Sequence, residues 1–251
     1  MSNYSRKEKR LLFSSLVLSF FMCMLVDSSA MHIMEGYLPA IHCVVWAAIC
    51  LPFLVLGVIN IKKTVKNSPK TIMILAMSGA FIFVVSSLKI PSVTGSCSHM
   101  TGTGLAAILF GVTSSSVLGI IVLIFQAILL AHGGLTTLGA NTFSMAIAGP
   151  IAVYLLYNLG KKLKVNRRLN IFIAAALGDL ITYCVTSIQL AVAYPSPTGG
   201  VAVSMAKFLA VFAPTQVPLA IIEGILTVLI IIGLESYAVP ELEELNYYGE
   251  V

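Results

Sequence analysis

The sequence predicts an all-α fold, a polytopic membrane helix bundle, on three observations. Of the 251 residues, 58% are hydrophobic and only 10% are charged, whereas a soluble domain carries about a quarter charged residues. Several apolar runs approach the roughly 20 residues that a helix needs to span a bilayer. The basic residues cluster in short segments between these runs, which is typical of loops that set membrane topology. The net charge of +5 therefore indicates a membrane protein and no nucleic-acid partner.

Seven apolar segments follow the first 30 residues, so we predict about seven transmembrane helices. The third and fourth segments are short for a full crossing. Pro52 lies inside the first segment and is expected to kink it. The predicted spans are residues 41–61, 71–88, 102–112, 117–131, 143–159, 171–193 and 208–234.

The distribution of basic residues predicts the orientation. Basic loops at residues 62–70 and 161–168 follow odd-numbered spans, while the loops at 89–101, 132–142 and 194–200 hold a single Lys. Basic loops face the cytoplasm in most membrane proteins. We therefore predict a multi-pass protein of the cell membrane, with the mature N-terminus outside and the C-terminus cytoplasmic.

The first 30 residues are arranged like a secretory signal peptide. A charged segment at residues 6–10 precedes an apolar run at 11–26, and small residues end at Ala30, which is the usual order of such a peptide. We expect residues 1–30 to be removed, leaving residues 31–251 as a single membrane-embedded domain. The alternative is an uncleaved first helix, which would place the following residues on the same side of the membrane.

Cleavage after Ala30 would expose a metal-chelating N-terminus. The amine of Met31, the backbone nitrogen of His32 and the His32 imidazole can close adjacent five- and six-membered chelate rings. Three nitrogens in one plane suit tetragonal or square-planar ions such as nickel and copper, and low-spin cobalt also fits. The backbone nitrogen must lose its proton, so affinity is expected to fall at low pH. The alternative is that His32 is an ordinary interfacial His.

Three of the four His residues, His32, His99 and His132, fall in or beside segments predicted to be external. Neutral imidazole is the commonest metal ligand, so His99 could supply a fourth nitrogen to the chelate. The alternative for His99 is a loop His that caps the next helix. Cys97 is a less favoured ligand, because thiolate selects zinc or cuprous copper.

Further polar residues are candidates to support these ligands, because hydrogen-bonding groups around a metal site orient its ligands. For Asn141 a helix N-cap is an equal alternative, and for Glu35 a solvated interfacial acid is one. Glu223, within the last span, is costly unless it is paired or faces a cavity. The predicted supporting residues are Glu35, Ser98, His132 and Asn141.

The sequence shows no pattern of an energy-coupling or catalytic domain. No Walker A motif occurs, and no catalytic constellation is visible, so we predict that the protein is not an enzyme. Uphill transport of a metal would then draw its energy from another subunit. A self-sufficient secondary transporter is the alternative, but it would be expected to carry more ionisable residues at mid-membrane than Glu223 and Asp179.

Three sequence runs resemble the CbiM family: MHIMEGYLP, GSCSHMTGTGLAAILFG and IFQAILLAHGGLTTLGANTFSMAIAGP. CbiM is the substrate-capture (S) component of energy-coupling-factor cobalt transporters and is related to nickel components. The resemblance covers residues 31–234 and implies that Met31, His32 and His99 bind the metal. It also implies a CbiN-type small membrane subunit, a CbiQ-type coupling subunit and CbiO-type ATPase subunits as partners. The implied cargo is cobalt(II) for cobalamin biosynthesis, with nickel as the alternative.

Overall fold

The computed structural model describes residues 29–30, 32–91, 96–245 and 247. Met31 and the predicted signal peptide, apart from its last two residues, lie outside the described residues. The cleavage after Ala30 therefore remains a prediction.

Within the described residues, the chain forms a helical bundle with a small sheet at one end. The helices are α1 Ala40–Asn67, α2 Thr71–Ser87, α3 Thr103–Leu129, α4 Leu138–Asn141, α5 Gly149–Lys162, α6 Arg167–Ala193, α7 Gly200–Tyr237 and α8 Val239–Glu244. A π-helical segment, Thr142–Ala148, joins α4 to α5 without interruption.

Three short strands bring the N-terminal segment onto the loop that carries His99. They are β1 Ser29–Ala30, β2 Ile90–Pro91 and β3 Ser96–Ser98, in the spatial order β1-β3-β2. Strand β1 runs parallel to β3, with Ala30 opposite Cys97, and β2 runs antiparallel to it. The chain that enters residue 32 therefore passes directly beside the chain that enters residue 99.

The prediction of a multi-pass membrane bundle is confirmed, but the predicted number of about seven spans is not. Five of the described helical elements are long and apolar enough to cross a membrane: α1, α3, the continuous segment from α4 to α5, α6 and α7. Helix α2 is a shorter apolar helix. The third and fourth predicted spans both belong to α3. The gap between these two predicted spans contains Ser116, whose hydroxyl donates to the Val112 carbonyl at 2.9 Å. A serine bonded in this way stays inside a helix.

Helix α3 changes direction at Gly111, which has a φ of +77° and a ψ of 176°. This backbone conformation is essentially restricted to glycine. Before the bend, the backbone of Gly102 packs against Ile82, near the end of α2. Phe110, just before the bend, lies beside Thr71 at the start of α2. The first arm of α3 therefore runs antiparallel to α2.

The second arm of α3 returns along the same helix in the opposite sense. Leu118 lies beside Gly79 of α2, with 3.6 Å between a leucine methyl and the glycine's Cβ position. Further on, the Gln126 side chain donates to the Ser86 hydroxyl at 2.7 Å. The two predicted short spans thus correspond to the two arms of one bent helix, and the bend brings Gln126 back to the end of α2.

The bundle has two chemically different ends. The basic end contains the segments at residues 62–70 and 161–168, with the C-terminal helix α8 folded against them: the Ser68 hydroxyl donates to the Glu244 carbonyl at 3.1 Å. The histidine end contains residues 32–39, 96–102 and 130–137. The longest of the described helices, α7, has 38 residues, or roughly 57 Å at about 1.5 Å per residue, and near its start the Ser204 hydroxyl donates to the Tyr194 carbonyl at the end of α6 at 2.7 Å.

Candidate metal site

Three buried imidazoles from three separate segments meet inside the histidine end. His32, His99 and His132 each offer one ring nitrogen, and these nitrogens all lie within 4.8 Å of one another. The exposed fractions of the three residues are 2%, 0% and 1%. The ring centroids are 4.3 Å apart for His32 and His99, 4.5 Å for His32 and His132, and 5.0 Å for His99 and His132.

The hydrogen bonds of His32 and His99 determine where their lone pairs point. Nδ1 of His99 lies 2.8 Å from the carbonyl oxygen of Met100, which can only accept, so this nitrogen carries the ring proton. Nε2 of His32 lies 3.2 Å from Oε1 of Gln126, and the amide nitrogen of that glutamine is committed to Ser86. In the neutral ring, Nε2 of His32 therefore carries the proton.

The two remaining ring nitrogens face each other with a lone pair each. Nδ1 of His32 and Nε2 of His99 are 3.1 Å apart, and neither has a proton to donate to the other. A cation between them would be attracted by both. Metal–imidazole bonds of roughly 2.0–2.1 Å that meet at a right angle separate two nitrogens by about 2.9 Å. The two nitrogens are therefore spaced as adjacent ligands of one metal ion.

Burial keeps all three imidazoles in the neutral form. It lowers the pKa of His99 to about 4, and it lowers the pKa of His132. The pKa of His32 lies well below its ordinary value because of burial and then because of the neighbouring His99 and His132. Since neutral imidazole is the form that binds metals, the cluster is ready to bind an ion at neutral pH.

His132 differs from the other two in having no hydrogen-bond partner for either ring nitrogen among the described residues. Its ring stacks on that of His32 with an angle of 28° between the planes, whereas His99 meets His32 edge-on at 86°. Buried polar groups without a partner are rare and call for an explanation. The role of a supporting residue, predicted from sequence, stays a prediction for His132.

Asn141 and Thr137 hold the backbone next to His32. Oδ1 of Asn141 accepts from the backbone nitrogen of Ile33 at 2.8 Å, and its amide nitrogen donates to the Ile33 carbonyl at 3.0 Å. The Thr137 hydroxyl donates to the same carbonyl at 2.6 Å. The alternative that Asn141 acts as a helix N-cap is not supported, since its side chain makes no capping bond to the π-helical segment. We call these three bonds the Ile33 clasp.

Glu35, which follows the Ile33 clasp by two residues, binds the backbone of the loop at residues 132–141. Its carboxylate accepts from the backbone nitrogen of Thr136 at 3.2 Å, and the backbone nitrogen of Gly36 donates to the Thr136 hydroxyl at 3.1 Å. The pKa of Glu35 is lowered by hydrogen bonds from the Thr136 hydroxyl and then from its backbone. A Cβ on Gly134 would lie 2.5 Å from Cα of Glu35, so glycine is required for this close approach.

Ser98, another predicted supporting residue, contacts α7. Its hydroxyl lies 2.7 Å from the hydroxyl of Thr215. The neighbouring Gln216 donates to the His99 carbonyl at 3.2 Å and to Oδ2 of Asp179 at 2.5 Å. The contact between Ser98 and Thr215 therefore helps to hold the His99 loop against α7.

Glu223, which sequence analysis left without a partner, anchors the same loop. Its carboxylate accepts from the backbone nitrogen of Thr101 at 2.6 Å, from the Thr101 hydroxyl at 2.8 Å and from the backbone nitrogen of Gly102 at 2.9 Å. The residue is fully buried. The cost of placing a carboxylate in this helix is thus offset by three hydrogen bonds that tie the His99 loop to α7.

Sequence reasoning assigned no role in the site to Gln126, Thr101 or Gln216. The available signal for the two glutamines was a polar side chain inside a long apolar run, which in membrane helices usually faces the bundle interior. Thr101 carried no such signal, because it lies in a loop already rich in small polar residues.

The sequence matches a family profile described as "Cobalt uptake substrate-specific transmembrane region", CbiM, over residues 32–240. One similar protein is the cobalt transport protein CbiM of Lachnoclostridium phytofermentans, 66% identical over 244 residues, which are 96% of this chain and 97% of the relative. Another is the cobalt transport protein CbiM of Chlorobium limicola, 58% identical over 91% of each chain.

Two solved structures share the fold. One is described as a truncated transition metal transporter, with a TM-score of 0.72 and 27% identity, covering 82% of this chain and 99% of the other. The second is described as a transition metal transporter, with a TM-score of 0.71 and 28% identity, covering 82% of this chain and 92% of the other.

Proposed function

The chain belongs to the CbiM family of cobalt-uptake transmembrane proteins, and we propose that it captures cobalt(II) as the substrate-binding subunit of an ATP-driven energy-coupling-factor importer. The family is one of cobalt-uptake transporters, so cobalt is the transported substrate. The observation that supports capture by this chain is the pair of facing lone pairs on His32 Nδ1 and His99 Nε2, 3.1 Å apart.

The proposed ligands are the amine of Met31, the backbone nitrogen and Nδ1 of His32, and Nε2 of His99. A six-membered chelate ring that includes the metal and the His32 backbone nitrogen can close only through Nδ1 of the His32 imidazole. This is the ring nitrogen that the hydrogen bond to Gln126 leaves unprotonated. Strand β1 places Ala30 opposite Cys97, so a chain cut after Ala30 would begin next to the His99 loop.

The Ile33 clasp and Glu35 support this arrangement by holding residues 33–36 against the glycine-rich loop at residues 132–141. Orienting partners of this kind commonly change metal affinity by roughly 10- to 100-fold when removed. Asn141, Glu35 and Ser98 are therefore proposed to position the ligands without touching the metal.

The energy for uptake is proposed to come from other subunits. The chain has no nucleotide-binding motif, and we propose a CbiN-type small membrane subunit, a CbiQ-type coupling subunit and CbiO-type ATPase subunits as its partners, feeding cobalamin biosynthesis. The basic end is proposed to face the cytoplasm by the positive-inside rule, which places the histidine end outside and the C-terminus inside.

Nickel is the second candidate substrate, because four nitrogens in a plane suit Ni(II) as well. The Irving–Williams order places nickel above cobalt in raw affinity. A donor set of this kind therefore does not by itself select cobalt.

Cobalt binding by the purified mature protein tests the proposal. N-terminal sequencing should show Met31 as the first residue, and the protein should bind one Co(II). His32→Ala and His99→Ala should each weaken binding by more than the roughly 10- to 100-fold expected for a supporting residue. His42→Ala is the matched control, because His42 lies on α1 and outside the histidine cluster.

A variant with two Gly residues inserted after Ala30 tests the chelate itself, because it places His32 fourth in the mature chain and moves the terminal amine out of reach, whereas a single insertion would place His32 third and create another chelating N-terminus. Unchanged cobalt binding by this variant would overturn the proposed ligand set. Cobalt uptake by cells should require the coupling and ATPase subunits, and uptake by this chain alone would show a secondary transporter instead.

A further inference from the structure

We propose that His132 is a fifth metal ligand, which binds from above the plane of the four nitrogens and selects cobalt(II) over nickel(II). The inference rests on the proposed function, because it needs an ion between His32 and His99. It assigns to His132 a direct contact with the metal in place of the supporting role predicted from sequence.

The relative orientation of the three rings separates in-plane from apical positions. In the proposed chelate, the His32 ring lies close to the plane of the metal and its own backbone nitrogen, because they share a six-membered ring. His99 meets His32 edge-on at 86° with its nitrogen 3.1 Å away, which suits a neighbouring position in the same plane. His132 is stacked on the His32 ring at 28° and 4.5 Å, so it lies over one face of that plane.

Both ring nitrogens of His132 are available to bind a ligand. Neither ring nitrogen has a partner among the described residues, although the residue is only 1% exposed. One of its nitrogens lies within 4.8 Å of the ring nitrogens of His32 and His99. Because buried polar atoms are nearly always paired, an ion between the other two rings is the natural partner for this nitrogen.

Coordination requires the His132 ring to turn about its Cβ–Cγ bond, out of the stack. The energy of this torsion in histidine varies broadly and has no narrow staggered wells. The ring gives up no hydrogen bond in turning, because neither of its nitrogens makes one in the described structure. Its backbone is meanwhile held by a bond from its own nitrogen to the Gln126 carbonyl at 3.1 Å, so the turn changes the side chain alone.

A fifth ligand supplies the selectivity that four planar nitrogens lack. Nickel exceeds cobalt in the general order of affinities, so discrimination must come from geometry, and a square plane of nitrogens is a geometry typical of Ni(II). Planar low-spin Ni(II) gains little from an apical donor, because its antibonding orbital along that axis is filled. Low-spin Co(II) has a single electron in that orbital and binds a fifth ligand more readily.

His132→Phe is the decisive variant, because phenylalanine keeps an aromatic ring in the stack and removes the nitrogens. Co(II) and Ni(II) are each titrated into the mature protein in competition with a chelator. We expect cobalt affinity to fall by about tenfold or more, the size of effect seen when metal-site partners are removed, while nickel affinity stays the same. The electron paramagnetic resonance spectrum of the Co(II) complex should lose the splitting from an apical nitrogen.

His132→Ala should behave like His132→Phe if the nitrogen is the important group, and it replaces the phenylalanine variant should that one not fold. His42→Phe serves as the control for an aromatic substitution at a histidine outside the cluster. Unchanged cobalt affinity and spectrum in both His132 variants would overturn the inference. Wild-type cobalt affinity in the Phe variant together with altered affinity in the Ala variant would also overturn the inference, because the ring would then only shield the site from solvent. Failure of the proposed function is distinguishable, since the wild-type protein would itself bind no cobalt.

Discussion

At the scale of single residues, the site depends on which nitrogen of each imidazole carries its proton. The Met100 carbonyl decides this for His99, and the Gln126 side chain decides it for His32. Both acceptors point away from the space between the rings. These two hydrogen bonds therefore leave the lone pairs of His32 Nδ1 and His99 Nε2 facing each other before a metal binds.

Replacing Gln126 by Leu tests this role. The Nε2 proton of His32 would lose its acceptor in a buried site, and the ring would gain by moving the proton to Nδ1, where His99 can accept it. We expect the metal affinity to fall by roughly 10- to 100-fold, as for other groups that orient a ligand. Gln126→Glu keeps an acceptor and is the control.

Nitrogen chemical shifts of the His32 ring report the tautomer directly. They should show the proton on Nε2 in the wild type and on Nδ1 in Gln126→Leu. A leucine variant with unchanged shifts and unchanged affinity would contradict the assignment.

The pH dependence of cobalt binding separates the imidazoles from the N-terminal groups. Burial lowers the pKa of His99 to about 4, and those of His32 and His132 are also lowered. Protons therefore do not compete for these rings between pH 8 and pH 6. The terminal amine, with a pKa of about 7.7–8.0, and the backbone nitrogen of His32 must both release protons on binding.

We therefore expect affinity to decrease as the pH falls through the pKa of the amine, by about tenfold per pH unit for each proton released. Competition titrations between pH 6 and pH 9 measure this slope. An affinity that stays constant down to about pH 5, and then falls as the rings protonate, would show that the amine and backbone nitrogen are not ligands.

At the scale of structural elements, the site is assembled by a bent helix and two glycine-bearing loops. The bend of α3 at Gly111 returns the chain to the histidine end, where Gln126 reaches His32. The loop at residues 132–141 holds the N-terminal segment through the Ile33 clasp. Glu223 fixes the His99 loop to α7. Each histidine is thus positioned by a different element.

Gly111→Ala should destabilise the protein through the backbone alone. A Cβ at this position would meet nothing within 4 Å, but the φ of +77° and ψ of 176° are strained for alanine by about 1–3 kcal/mol. Gly233→Ala is the matched control, because its Cβ also meets nothing within 4 Å and it lies inside α7. There alanine is favoured by up to about 1 kcal/mol.

Thermal unfolding in detergent should show a lower melting temperature for Gly111→Ala and an equal or higher one for Gly233→Ala. Equal stability of the two variants would mean that the bend is not held in this conformation in the protein.

At the scale of the whole molecule, the sequence predicts the membrane bundle well and the ends of its helices poorly. The predicted span at residues 41–61 is only part of α1, which continues to Asn67 through three lysines of the expected basic loop. The predicted span at 208–234 lies within α7, which begins at Gly200. For α1, hydropathy reports where the apolar environment ends, but lysines continue the helix beyond that point.

The candidate site was predictable in its residue types but not in its geometry. Histidines on the same side of the membrane can be identified from topology, and three of them do meet. Their tautomers, however, depend on contacts such as that between His32 and Gln126, which are 94 residues apart in sequence. The support from Glu223 likewise crosses more than a hundred residues, and no local pattern encodes such a pairing.

The almost complete enclosure of the three histidines has a kinetic consequence. With exposed fractions of 2% or less, the three histidines have almost no contact with bulk water, so we expect an ion held between them to exchange slowly. We expect its release to need the N-terminal segment to detach, which breaks the three bonds to Ile33. We therefore expect the residence time of the cargo to be set by the opening rate of a short peptide tether, and a chelator in solution to remove the metal no faster than that tether lifts.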